Sequence, residues 1–337
     1  SDLLEDHRIV GGVRLSSNLS SNEFFISYEN LKKRLDKQVV LHRQSMVTFL
    51  SNGVGIKVQT HDAKLALKWP FSNILFVKGA ASLRNDRNVT LSTDVMSLQE
   101  PNTFDYWGGF TGELVFDNTI KKGLNLYNGT RGKMFGEWHK QIDKAETNLY
   151  VVGLDIRNYL KIHRDIIWAN RLATSTSFGD YKLVYYMGSV DGWLKPVFNN
   201  DIEIATDQNY AYQTLATNMR GFNQNIRNGN SFAVINSELR IPLFKYLTNK
   251  PMKSDFLRNF QIVPFTDIGT AWTGKNPYTE DNSFNTGTID NGPITVRLIH
   301  QREPIVAGYG IGLRSRLFGY FVRVDWARGI EDGITQD

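Results

Sequence analysis

The chain has 337 residues, no cysteine, 41% hydrophobic residues and a net charge of +5. The absence of cysteine excludes a disulfide scaffold and a thiolate zinc site. The most apolar windows, such as residues 73–83, are short and interrupted by Lys78; none approaches the ~18 to 20 residues a spanning helix requires, which excludes a helical membrane protein.

Twenty Phe, 14 Tyr, 7 Trp and 28 Gly beside only 9 Pro suit many strands, because aromatic side chains fit a pleated surface and glycine permits bends. The one other backbone arrangement that satisfies every peptide group inside lipid is a closed barrel. Its signature is alternation over roughly ten residues rather than a hydropathy peak. The mild positive charge fits both anionic headgroups and an ordinary scattered surface. No charged-then-apolar leader opens at Ser1, so the chain is expected to begin inside a longer precursor.

In chain order, strands are expected at residues 8–16, 23–28, 38–46, 53–59, 64–69, 74–83 and 108–116. Across 130–139, Met134 and Trp138 alternate with Arg131, Lys133, Glu137 and His139; then Leu154 and Ile156 interleave with Asp155 and Arg157. Strands at 166–175 and 210–216 follow, with the polar stretch 188–208 read as an extracellular loop. From Ala233 to Phe244, Ile235, Leu239, Ile241 and Leu243 share one face, while Asn236, Glu238 and Arg240 share the other. In 260–272, Ile262, Ile268 and Trp272 oppose Asp267 and Gly269, and the polar segment 274–291 reads as a second loop.

Over 307–317, Tyr309, Ile311, Leu313 and Leu317 alternate with glycines, Arg314 and Arg316. A tight Phe318-Gly319 turn leads into 319–328, where Tyr320, Val322, Val324 and Trp326 oppose Arg323 and Asp325. At about ten residues per strand and per connection, this length holds roughly sixteen strands. The fold expected is an all-β, transmembrane antiparallel β-barrel, with residues 1–337 forming one barrel domain. A soluble β-sandwich also alternates, and the pattern by itself leaves it open.

Asn218-Met219-Arg220-Gly221-Phe222 resembles the Arg-Gly-Phe loop motif of the outer-membrane assembly-factor, or bacterial surface-antigen, superfamily of BamA/TamA-like and two-partner-secretion barrels. Three further elements match in order: Asn236 to Phe244, Pro264 to Trp272, and the glycine-alternating 308–316. The resemblance implies a sixteen-stranded barrel in which this loop folds back into the lumen, with Arg220 meeting Glu238 and Asp267. Gly221 would permit close backbone approach, and Phe222 would pack on the inner wall. The chemistry is sensible in itself, because a guanidinium withdrawn from water needs carboxylates placed for forked hydrogen bonds.

Leu3-Leu4-Glu5-Asp6-His7 and Gly123 to Thr130 are similar, less specifically, to barrels that carry a large periplasmic module ahead of them. The polar end Glu331 to Asp337 departs from the family's aromatic final strand. It is read as a connection, with the last strand, or both the last and the first, expected to be missing.

The resemblance implies a bacterial outer-membrane location and a role in inserting, assembling or exporting other envelope proteins through a lateral seam. The implied partners are outer-membrane lipid and lipopolysaccharide, client envelope proteins, and periplasmic or lipoprotein accessory subunits. Nucleic acid is not among them.

Six histidines show no paired ligand spacing, so neither metal nor other cofactor is expected. Gly308-Tyr309-Gly310-Ile311-Gly312 sits in a strand pattern rather than at a strand-to-helix turn, and no Gly-x-Ser-x-Gly elbow exists. No catalytic residue is assigned. A passive channel and a rim Ser-His hydrolase remain the alternatives.

Overall fold

A computed structural model describes residues 6–15, 22–49, 55–91, 101–143, 147–190, 197–199, 202, 204, 209–248, 251–280, 282, 286–290, 295–299 and 302–336. Residues 3–5 of the N-terminal match and most of 188–208 lie outside this set. Two compact units divide the chain: Ser1–Val115 with Phe135–Tyr150, and Phe116–Met134 with Val151–Asp337.

The first unit is an antiparallel meander of β1 (His7–Leu15), β2 (Asn22–Asn30), β3 (Asp36–Phe49), β4 (Gly55–Pro70), β5 (Leu75–Leu91) and β6 (Thr103–Asp117). Of the two strands expected at 53–59 and 64–69, residues 53 and 54 lie outside the described set, and from Gly55 the two are one: β4 runs unbroken through Thr60, His61 and Asp62, paired on both sides. The polar interruption marks a change of surface, not a turn.

Register shows what alternation accomplishes here. Rows such as Gly11–Ile26–Leu41–Ala63–Leu83 fall on one face and Gly12–Phe25–His42–Asp62–Arg84 on the other. The apolar face is uncovered, with Ile9 66%, Leu41 53% and Leu83 63% exposed. The opposite face carries ion pairs Arg14–Glu23, Lys68–Asp36 and Arg84–Asp86. A soluble sandwich would bury the greasy face against a second sheet. This sheet leaves it bare, as a lipid-facing wall does.

The second unit begins with β7 (Ile120–Gly123), paired to β8 (Leu126–Gln141), whose residues 126–134 belong to this unit. It continues with β9 (Asn148–His163), β10 (Ile166–Gly179), β11 (Lys182–Met187), β12 (Tyr210–Leu215), β13 (Arg227–Gly229) and β14 (Ser231–Arg240). Helices α1 (Leu243–Leu247) and α2 (Asp255–Asn259) precede β15 (Gln261–Trp272), β16 (Thr286–Asp290), β17 (Thr295–Ile299), β18 (Val306–Leu317), β19 (Tyr320–Glu331) and β20 (Ile334–Gln336). The main ladder runs β8-β9-β10-β14-β15-β18-β19-β20. A small sheet, β12-β11-β13, lies apart from it, and β16 pairs with β17.

Two further expectations need correction, and one strand was not expected. The strand from Ala233 ends at Arg240, because Pro242 has no N–H to donate and the chain turns into α1, taking Phe244 with it. The C-terminal stretch is more than a connection: Glu331 belongs to β19, and Ile334–Gln336 pairs back onto it. The segment after Gly179 contains β11, which alternation could not signal because consecutive Leu183, Val184 and Tyr185 are all buried.

In this unit the outer face again shows large apolar groups, with Ile235 51%, Ile311 52% and Trp326 62% exposed. The inner face is covered by the β11–β13 segment: Met187 is fully buried against Gly269, where a Cβ would lie 3.0 Å from its sulfur.

Candidate functional site on the inserted loop

Gly188 (φ +120°) and Ser189 (φ 69°) turn the chain after β11. Ser189 N–H donates to Phe222 O, and Met219 N–H to Ser189 O, at 3.0 and 2.9 Å. These bonds close the loop that presents Arg220, Gly221 and Phe222 to the inner face of β14, β15, β18 and β19.

Arg220 is 5% exposed. Its Nε and Nη2 donate to the two oxygens of Asp267 at 2.7 and 2.6 Å, and its Nη1 donates to Glu238 Oε1 at 2.6 Å. Its own backbone N–H adds a fourth bond, to Asp267 Oδ2 at 3.0 Å. The guanidinium also lies 3.6 Å from the Phe265 ring centroid, a stacked cation–π contact. Asn236 and Asp267 are directly opposed across β14 and β15, as are Glu238 and Phe265, so the ladder places both carboxylates and the ring on one face.

The cage is close to neutral. Arg240 donates to Glu238 Oε2 at 3.0 Å, so two arginines meet two carboxylates, and Arg314 pairs with Asp325 nearby at 2.5 Å. Such balance is what burial demands, since an unpaired interior charge is costly. Burial opposes the charge on Arg220, but the hydrogen bonds and charges of Asp267 and Glu238 outweigh it and hold its pKa above the usual arginine value. Arg220 therefore remains a cation at any physiological pH.

The loop backbone seats in a glycine notch. Gly308 and Gly329 are directly opposed in the β18–β19 ladder. A Cβ on Gly308 would run into Arg220 O, and one on Gly329 would run into the Phe222 ring. Gly221, at φ +94°, has Arg328 O only 2.6 Å from where its Cβ would stand.

The structure thus brings Arg220, Glu238 and Asp267 into direct contact and places Gly221 and Phe222 on the wall formed by β19. Sequence reading missed Arg227. It is completely buried, pairs with Glu331 at 2.6 Å, and donates to the carbonyls of Glu303 and Pro304 at 2.7 and 3.2 Å. The only hint was an arginine inside the asparagine-rich run 223–230, whose polar side chains need partners once buried. Among the described residues, no group of three metal-ligating side chains is assembled.

A family model described as the Omp85 superfamily domain matches residues 153–332, which contain the whole cage. No curated protein sequence matches. Among solved structures, BamA from Haemophilus ducreyi lacking POTRA domains 1-3 aligns with a TM-score of 0.60 at 13% identity, over 96% of this chain and 67% of that one. CdiB from Escherichia coli aligns with a TM-score of 0.50 at 11% identity, over 98% of this chain and 53% of the other. The chain spans about two thirds of the first and half of the second. At these identities the likeness speaks for the fold.

Proposed function

The chain belongs to the Omp85 superfamily, whose members are outer-membrane β-barrel proteins of Gram-negative bacteria, and from that premise we propose that it inserts or translocates client envelope proteins. The all-β architecture with its bare apolar faces agrees with that location. Residues 1–337 are taken as one barrel domain, acting beside a periplasmic module and accessory subunits, in contact with outer-membrane lipid and lipopolysaccharide.

The observation that carries the proposal is the caged arginine. Four hydrogen bonds and a stacked ring hold Arg220 against β14 and β15, its carbonyl lies against Gly308 of β18, and Gly221 and Phe222 seat on β19. A loop so fastened sets the positions of four wall strands together. In this reading the loop is a latch that keeps the wall in the shape from which an unpaired strand edge can accept an incoming β-strand. The driving force is completion of main-chain hydrogen bonds in lipid, with no nucleotide and no catalytic side chain. Among the described residues, β1 is paired on one side only, to β2, and presents such an edge along His7–Leu15.

Reconstitution in liposomes tests this. The wild-type protein accelerates folding of a client barrel, and Arg220→Lys, which keeps the charge but loses the fork, slows that folding by roughly tenfold, a loss of about 1.4 kcal/mol. Arg316→Ala, which removes an exposed arginine 3.7 Å from Asp255, changes it little. Equal small effects of both substitutions would count against the latch. Steady conductance with no client folding in the wild type would replace the proposal with a passive channel.

A further inference from the structure

A second segment enters the same inner face from the opposite end. Strand direction defines the ends: β10 runs from Ile166 to Gly179, and the loop departs beyond Gly179. Arg240 closes β14 and Gln261 opens β15 at the other end, where β8 also begins, at Leu126. In the ladder β8-β9-β10-β14-β15, β8 stands four steps from β15, about 19 Å at ~4.8 Å per strand. Yet Gln261 Nε2 donates to Leu124 O at 2.6 Å, and Arg240 Nη1 donates to Asn125 O at 2.7 Å.

The turn before β8 therefore folds across the intervening strands instead of standing clear of the sheet. Asn125 makes the bend in the left-handed region, at φ 56°. Behind it, Leu126 is buried with Tyr159, Ile167 and Ala169. The Arg131 and Arg240 guanidinium groups lie 5.9 and 5.5 Å from the Tyr159 ring centroid.

Arg240 touches more than the turn. Its Nε and Nη2 hold Glu238 Oε2 at 3.0 and 2.9 Å, while the other oxygen of Glu238 takes Arg220 Nη1 at 2.6 Å. Asp267, Arg220, Glu238 and Arg240 form one alternating row of charges that starts on β15, passes through the inserted loop at Arg220 and ends on the Asn125 carbonyl. We propose that the Leu124–Asn125 turn is a second inserted segment, coupled to the loop through Glu238 and Arg240 so that the two dock and release together. Each arginine holds one oxygen of Glu238 and so fixes the other oxygen in place for its partner; losing either frees the carboxylate to turn away from the arginine that remains, weakening that attachment as well. Coupling of this kind is reciprocal. The inference concerns docking alone and stands or falls separately from insertion activity.

Hydrogen exchange on the full chain in lipid reads both segments. Arg240→Gln is expected to raise amide exchange roughly fivefold in peptides covering 118–127 and also in those covering 217–224, which Arg240 does not touch. Arg220→Lys produces the same pair of changes from the other side. Gln261→Ala frees Leu124 O while leaving the charge row whole, so exchange rises in the turn and, through the intact row, by a smaller factor in 217–224. Should Arg240→Gln fail to fold, Arg240→Lys gives the same two responses at smaller amplitude. The proposal is overturned if each arginine substitution loosens only its own segment, or if exchange rises equally across 151–175, which would mean that the sheet as a whole had slackened.

Discussion

Arg220 and Arg227 lie seven positions apart on one loop, and their surroundings differ in kind. Arg220 is held by side chains on β14 and β15, whereas Arg227 is held by Glu331 at the end of β19 and by carbonyls of the segment before β18. Arg227→Met leaves the Glu331 carboxylate, 12% exposed, without its cation, at a cost of about 3–5 kcal/mol. Urea unfolding in lipid vesicles should show that loss as a lowered midpoint. The double substitution Arg227→Met with Glu331→Leu should recover much of it, because replacing both buried partners by apolar groups removes the stranded charge. Recovery stays incomplete, since the carbonyls of Glu303 and Pro304 still lose their donors. Single and double variants of equal stability would show that the ion pair is not what Arg227 supplies.

At the scale of elements, the β18–β19 hairpin is shaped to receive the loop. Gly308→Ala places a methyl group against Arg220 O, so the loop must lift from its notch. Gly79→Ala, where nothing lies within 4 Å of the new carbon, is the matched control on another strand. Limited proteolysis should cut Gly308→Ala within 217–230 faster than the wild type and leave Gly79→Ala unchanged; equal cutting of both would mean the notch has room to spare. This hairpin was legible from sequence, because Tyr309, Ile311 and Leu313 alternate strictly with glycine and arginine, and register then pairs Leu317 with Tyr320 across Phe318-Gly319. Strand β4 was misread because its alternation changes phase near Thr60: the face that carries Leu65, Leu67 and Trp69 continues with His61, Gln59 and Lys57, so the polar stretch at the change read as a turn. Strands β11 and β13 were invisible for the opposite reason: Arg227, Asn228 and Gly229 of β13 are all buried, and a segment enclosed on both sides has no period of two. Arg220, Glu238 and Asp267 came together on paper only because a motif resemblance supplied the loop and alternation supplied the face. Arg227–Glu331, separated by 104 positions, has neither signal.

At the scale of the molecule, the apolar and polar faces answer to different solvents, and that difference is measurable. On β4 the apolar face carries Trp69, Leu67, Leu65 and Ala63 before reaching His61, beside Arg43 on β3 and Asn85 on β5. From Trp69 to His61 the strand rises about 26 Å at ~3.3 Å per residue, comparable to the ~25 Å apolar band of outer-membrane barrels before tilt is considered. Leu65, 52% exposed, stands at the middle of that run. If this face meets hydrocarbon, Leu65→Arg costs about 2–4 kcal/mol, the penalty for a cation near the bilayer midplane. His61→Arg, at the margin of the same face, costs at most about 1 kcal/mol, since the penalty fades toward the interface. Lys64→Ala, one residue away on the polar face, should alter stability little. Urea titrations of the three variants in vesicles distinguish lipid from water directly: a face that met water would tolerate arginine at position 65 as readily as at position 61. The gradient from 65 to 61, rather than either value by itself, is the signature of a membrane boundary crossing β4 at His61.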